Sequence, residues 1–369
     1  MRIHLIFLLF PILLIQCTSE SEKPASAETP VVPVESLESL EYTVNIDYLR
    51  MRATPGQDGE VVATLNRGDV LQDLGEVSGF TSQVKLRGIQ FDEPWIRVRT
   101  SEGKEGWVFA GGLHFSMDGR QAIAERLMSR RLTTFFGDAL QARILDYQKA
   151  YWSASTDREV QKVFAEGLAL RDTLVGVLEK GIVITSYDQL PDLFWMEEAL
   201  PGMLTQLVAE GTIYYLFMDF REWLTLAAQS QGKADDAFFA LQVVVHPTDS
   251  IEYFFPAWMI QTWDYGGHSE LGKGVHLEVL NGIQANTGED VLFSEQLTGL
   301  KKQVFENLTN TEQGYWYDQE KVLAEFDKIL EKGDVFFTDT EVQRLQEVRT
   351  KLADPEKYDI LLNARGGTQ

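Results

Sequence analysis

Between Glu41 and Phe115 the chain is a ladder of short apolar runs broken by turn residues, and no other stretch restricts its fold as much. Tyr42 to Met51 is followed by Thr54-Pro55-Gly56, Val61 to Leu65 by Asn66-Arg67-Gly68-Asp69, and Val70 to Leu74 comes next. About five or six strands of this length make a small β-barrel. Trp95-Ile96-Arg97-Val98-Arg99 alternates bulky with basic, as a half-buried strand does, and Ser101-Glu102-Gly103-Lys104 forms a hairpin turn ahead of the next strand. Alternation puts Trp95 and Arg97 on one face and Ile96 and Val98 on the other.

Three segments in this ladder carry a family pattern: L-R-M-R-A-T-P-G from Leu49 to Gly56, V-V-A-T-L-N-R-G-D from Val61 to Asp69, and W-I-R-V-R-T-S-E-G-K-E-G-W-V from Trp95 to Val108. In this order and spacing they resemble the bacterial SH3 domain, over about a fifth of the chain. The resemblance implies an SH3-like barrel over residues 41–116 that binds cell-wall or peptide material through an aromatic face. The candidates for that face are Tyr48, Trp95, Trp107 and Phe109, with barrel core as the competing role for Trp95 and Trp107. One departure is clear. Where the family uses a short turn, this chain inserts Val77 to Pro94, with Phe80, Val84, Leu86, Ile89 and Phe91 spaced like an extra hairpin that covers or extends the binding face.

Ahead of the ladder, Arg2 precedes a run from Ile3 to Ile15 that is apolar except for His4. This is long enough for a signal peptide but short of the about 20 residues a spanning helix needs. Residues 1–16 are therefore expected to be an export signal. The chain's single cysteine, Cys17, closes Leu14-Ile15-Gln16-Cys17, which looks like a bacterial lipobox, with Gln16 in place of the usual small residue. The resemblance implies a diacylglyceryl group on the Cys17 thiol. Ala25-Ser26-Ala27, the alternative cleavage site, lies beyond several charges and far from the apolar run. Residues 17–40, rich in Ser, Glu, Pro and Ala, read as a flexible tether with a mean span of about 25–30 Å. The expected location is a membrane-anchored lipoprotein facing the periplasm or cell surface. One cysteine also removes internal disulfides and, once acylated, a cysteine nucleophile, which excludes peptidases of the NlpC type.

At 369 residues and 44% hydrophobic the chain can bury two cores, and its net charge of -23 argues against a nucleic-acid partner. From Arg120 the hydrophobic period changes from two to about three and a half. Ile123, Leu127 and Phe135 fit one helical face, and Leu140, Ile144, Tyr147 and Tyr151 another. Thr156-Asp157-Arg158-Glu159 is a capping box for a helix that Lys180-Gly181 closes. Further helices are predicted at Asp192 to Leu200, Gly202 to Ala209, Thr212 to Ala228, Lys233 to Val245, Ser294 to Leu308, Asp318 to Leu330 and Thr340 to Leu352. Residues 120–369 thus read as an all-α domain. A faint echo pairs Val177–Gly181 with Ile329–Gly333, each followed by a second capping box, Ser186 with Gln189 and Thr338 with Glu341.

The densest aromatic stretch, Tyr253 to Tyr265, runs into a glycine-rich segment ending at His276. Rings beside glycines suit a carbohydrate or peptide cleft, so Trp258, Trp263, His268, Glu270 and His276 form an alternative site, with helical core as the competing role for the rings. Gly267 to Lys273 matches G-x-x-x-x-G-K, but Gly274 stands where a phosphate loop needs Ser or Thr. His268, Glu270 and His276, with Asp264 and His246, lack a zinc spacing such as H-E-x-x-H, so neither metal nor cofactor is expected. Acidic pairs such as Glu197-Glu198 and Asp235-Asp236 carry little information among 56 acidic residues. No G-x-S-x-G elbow occurs. Taken together, these features describe a multidomain, non-catalytic envelope protein: an SH3-like barrel near a membrane and a helical domain that docks another envelope protein. A cell-wall-modifying hydrolase with a cleft near 258–276 is the alternative.

Overall fold

The computed structural model describes residues 40–86, 88–181, 193–208, 213–247, 255–262, 266–287 and 292–364. The ladder forms seven strands: β1 (Glu41–Val44), β2 (Leu49–Arg52), β3 (Val61–Leu65), β4 (Val70–Leu86), β5 (Ile89–Thr100), β6 (Glu105–Phe109) and β7 (Leu113–His114). They pair in the order β3-β2-β6-β5-β4-β1-β7, all antiparallel. The sheet curls but does not close, since among the described residues β3 and β7 remain its two edges; the barrel is a half-barrel. Its concave side buries Tyr42, Val44, Met51, Leu71, Ile96, Val98 and Val108.

Val77 to Pro94 belongs to one long hairpin of β4 and β5, with register shifts between Asp73 and Val77 and between Val77 and Thr81. Such bulges bend a strand. Here the outer hairpin packs Val84, Leu86 and Phe91 against the half-barrel core. Phe80 and Ile89 stay outside, 47% and 62% exposed.

Helix α1 (Met117–Ser153) starts on the Ser116 side chain, which accepts the Gly119 N–H, and bends at Gly137. With φ 76° and ψ 167°, Gly137 occupies backbone space that side chains resist. The arm before Gly137 already touches two cores, and the arm after it continues along the second. Ile123 and Leu127 cover the half-barrel, whereas Leu132, Phe136, Ile144, Tyr147 and Tyr151 enter the second core. Phe135, expected to share a face with Ile123, packs with this second core and against Trp195 instead.

The remaining elements are α2 (Asp157–Gly181), α3 (Met196–Ala199), β8 (Met203–Val208), β9 (Ile213–Met218), α4 (Phe220–Ala227), α5 (Ala234–Val245), β10 (Met259–Gln261), β11 (Gly267–Ser269), α6 (Val275–Ala285), α7 (Ser294–Thr309), β12 (Gly314–Tyr315), α8 (Gln319–Glu331), α9 (Gly333–Phe336) and α10 (Asp339–Leu352). The α2 capping box is present: Glu159 N–H bonds the Thr156 hydroxyl at 3.3 Å, and the Glu159 carboxylate accepts the Thr156 N–H at 3.1 Å. Thr338 and Glu341 form the other at α10, while Ser186 and Gln189 lie outside the described residues. The core centres on Phe164, ringed by Trp223, Phe238, Phe239 and Phe293.

This part is mostly helical, not all-α. The helices predicted over Gly202–Ala209 and at the start of Thr212–Ala228 are the antiparallel hairpin β8–β9. The reason is chemical: Ile213-Tyr214-Tyr215-Leu216-Phe217 is β-branched and aromatic, and pairing lets it lie flat over the core with Tyr214, Leu216 and Met218 buried. Asp192–Leu200 yields only the single turn α3. A second small sheet joins β10 antiparallel and β12 parallel to β11.

Candidate functional site

The first half of α1 lies along the open side of β4, and the two enclose a groove of about 780 Å³. One wall is the half-barrel: Pro55 from the turn after β2, Gly75 to Phe80 from the root of the inserted hairpin, and Trp107 from β6. The other wall is α1, with Arg126, Ser129, Arg130, Thr133, Thr134 and Phe135. Phe80 reaches back over the turn, its ring tip 3.9 Å from where a Cβ at Gly56 would stand.

A buried polar triad sets the position of the helix. Arg126 donates to both oxygens of Asp73, at 3.1 and 2.6 Å, and to the Tyr42 hydroxyl at 3.1 Å; that hydroxyl donates to Asp73 at 2.9 Å. Burial, then the bond to Asp73, pushes the Tyr42 hydroxyl up to about 12, so it stays a donor. The groove's far end is braced across the bend, where Gln141 donates to the Ser129 hydroxyl at 2.5 Å and accepts from Thr133.

Charge along the half-barrel wall is neutralised within itself. Glu76 pairs with Arg97, Arg97 with Glu105 at 3.2 Å, and Arg99 with Glu105 at 2.6 Å. These pairs are well exposed, so their contribution to stability is small. Arg130 is different: among the described residues it has no ion pair. Its stem lies on the backbone of Gly79, where a Cβ would stand 3.2 Å from Arg130 Cγ, and Thr134 donates to its carbonyl at 2.8 Å.

Of the four aromatic candidates, the structure brings one to this groove. Trp107 is half-buried and lines it. Trp95 and Phe109 are core, each 3% exposed and packed edge to face at 5.8 Å. The inserted hairpin is what closes Trp95 off, since its backbone and indole N–H groups bond the hydroxyls of Ser78 at 2.9 Å and Ser82 at 2.8 Å. Tyr48 is 79% exposed, but it precedes β2, at the end of that strand away from Arg52, the partner of Trp107, and takes no part in the groove. Phe80, Pro55 and Arg130 complete the site. Phe80 was legible as part of an inserted hairpin; nothing in the sequence marks Arg130 as unpaired.

Of the second candidate set, three of the described residues are buried. Trp258 is 2% exposed, His276 0% and Glu270 7%, and the buried Trp258 ring offers no stacking face. His268 is half-buried beside Trp316, ring centroids 6.3 Å apart; Trp263 lies outside the described residues. What replaces the cleft is a polar clamp. The Glu325 carboxylate accepts the backbone N–H groups of Gly272 at 2.6 Å, Gly274 at 2.7 Å and Leu277 at 3.2 Å, at the start of α6. An anion does belong on this glycine loop and helix N-terminus, as in a phosphate loop, but the protein's own carboxylate fills the place. His276 Nε2 stands 2.8 Å from Asn307 Oδ1, which also accepts the Ser269 hydroxyl at 2.9 Å. Asn307 Oδ1 only accepts, so His276 is the donor through Nε2. Burial holds this imidazole below its usual range, and its Nδ1 faces Glu325 at 3.9 Å without a hydrogen bond.

Residues 47–114 match the family model of the bacterial SH3 domain. That span covers the half-barrel from β2 to β7, including the inserted hairpin, and suggests a binding module. The match extends to neither α1 nor the helical part, and no curated protein or solved structure matches the chain.

Proposed function

We propose that the protein is a tethered cell-envelope lipoprotein that holds cell-wall peptide, without cutting it, in the groove between its SH3 half-barrel and α1. The observation that carries this reading is the groove itself, with the half-exposed ring of Phe80, the Trp107 ring and Pro55 on one wall and hydroxyls on the other. Aromatic rings and proline give a peptide apolar contact at low entropic cost, and polar groups orient it. Residues 1–16 are the export signal in this reading, Cys17 carries the lipid, and 17–40 are the tether. The helical part from 120 onward serves as the docking surface for another envelope protein. Among the described residues no helix is long and apolar enough to cross a membrane. Attachment through Cys17 makes such a helix unnecessary.

Sedimentation with purified peptidoglycan sacculi tests the groove. The full chain is expected to co-sediment, and the double variant Phe80→Ala/Trp107→Ala to remain largely in the supernatant while circular dichroism shows it still folded, at a lowered unfolding midpoint because Trp107 packs on the half-barrel core. Equal recovery of both proteins would remove the groove from the function. For the anchor, detergent phase partition of wild type and Cys17→Ser is decisive: the variant should move to the aqueous phase, and identical partition refutes lipidation.

A further inference from the structure

We infer that the groove takes an extended wall peptide by a free carboxylate, with the Arg130 guanidinium as its anchor and Phe80 and Trp107 as its apolar contacts. This deepens the reading above and rests on it. The support is a charge ledger of the groove. Arg126 is committed to Asp73 and Tyr42, and Glu76 to Arg97. The hydroxyls of Ser129 and Thr133 are tied to Gln141, and that of Thr134 to the Arg130 carbonyl. What remains among the residues lining the groove is one guanidinium without a counter-ion, on a chain of net charge -23.

The local geometry keeps that group available. The Arg130 stem is laid on Gly79, the position where β4 approaches α1 so closely that a side chain would displace it. The residue itself is exposed and lines the groove, so its guanidinium carries no large desolvation cost before a ligand arrives. A planar guanidinium matches a carboxylate with two parallel hydrogen bonds. A neutral sugar face has no use for an unpaired cation. The remaining negative field of the chain repels polyanions, which favours a ligand with an isolated carboxylate over a phosphate-rich polymer.

Sacculi in two chemical forms test this, one untreated and one with its peptide carboxylates converted to amides by carbodiimide and ammonia. Wild type should bind untreated sacculi with roughly ten-fold higher affinity than amidated ones, the scale expected for a charge-assisted hydrogen-bonded pair. Arg130→Gln should lose that preference, binding both forms at the lower level, and Arg130→Lys should recover part of it. Because residue 130 is exposed on a helix, unchanged unfolding midpoints are expected for both variants. If wild type binds both forms equally, or Arg130→Gln keeps the preference, the carboxylate anchor is refuted while the wall-peptide reading stands. If wild type binds neither form, the wall-peptide reading itself falls.

Discussion

Replacing Glu325 with alanine removes the anion that holds the start of α6 and leaves three backbone N–H groups, of Gly272, Gly274 and Leu277, without their acceptor. Glu325 is 5% exposed, so water has little access to replace it. Each buried donor left without a partner costs about 1–3 kcal/mol. Allowing the glycine loop to relax toward solvent, the expected loss is roughly 3–5 kcal/mol, a large part of the about 5–15 kcal/mol that holds a typical domain. Urea unfolding followed by tryptophan fluorescence at neutral pH measures it, because Trp258 and Trp316 flank β10 and β12 and bond the backbone of Glu270 and Ser269, next to this loop. Glu325→Gln, which keeps one acceptor oxygen and turns an amide NH₂ toward the donors, should fall between. A second arm is specific to the anion: sulfate or inorganic phosphate should raise the midpoint of Glu325→Ala more than that of wild type, since the emptied helix N-terminus is then free to bind it. A loss below about 1 kcal/mol, with no anion effect, would show that those amides are satisfied without the carboxylate and would refute the clamp.

Acid should weaken the helical part before its carboxylates protonate. His246 is pushed down to about 4, chiefly by burial and then by Arg171, and stacks on Phe220 at 5.0 Å. A folded-state value below the unfolded one means stability is complete above about 6.5 and is lost as pH falls toward 4, because the unfolded chain takes the proton first. Urea midpoints between those limits should therefore decline, and His246→Gln should flatten the decline; an unchanged slope refutes the assignment. At the joint between half-barrel and α1, Arg126→Ala should cost roughly 2–4 kcal/mol, since it strands a carboxylate whose side chain is 6% exposed. The double variant Asp73→Ala/Arg126→Ala should recover part of that loss in a thermodynamic cycle, and strict additivity of the two single losses would show that the pair is not coupled.

Much of the fold was legible where a local pattern has one physical meaning. The ladder of short runs becomes a sheet, and the family pattern carried by Leu49–Gly56, Val61–Asp69 and Trp95–Val108 marks the matched module. The change of period at Arg120 and the capping boxes at Thr156 and Thr338 locate α1, α2 and α10. The failures share a cause, which is that tertiary contact decides what an apolar run does. Met203–Val208 and Ile213–Met218 are short and apolar, and only pairing with each other makes them strands. Trp95 was a candidate on its type and strand position alone. Whether its ring faces a ligand depends on Ser78 and Ser82, which the insert folds over it. In the same way Glu270, His276 and Trp258 have the chemistry of a site, yet they are buried, with Glu270 paired to Lys273, His276 bonded to Asn307 and Trp258 in the core.

On the proposed reading, the inserted hairpin and α1 together place the binding face at the groove and away from Trp95. A ring on a curled sheet recognises a ligand only if one face stays wet, and the insert removes that option for Trp95 by bonding its indole N–H. The same segment carries Phe80 outward, onto the edge that α1 then walls in. The matched module thus supplies Trp107 and the sheet that positions it, while the insert and the helix beyond the match supply Phe80 and Arg130. Because those two walls are joined by the Asp73–Arg126–Tyr42 triad, a ligand that touches both is favoured only while the joint is closed. If the groove holds its ligand as proposed, binding and docking of α1 on the half-barrel are linked equilibria, each raising the apparent stability of the other by mass action.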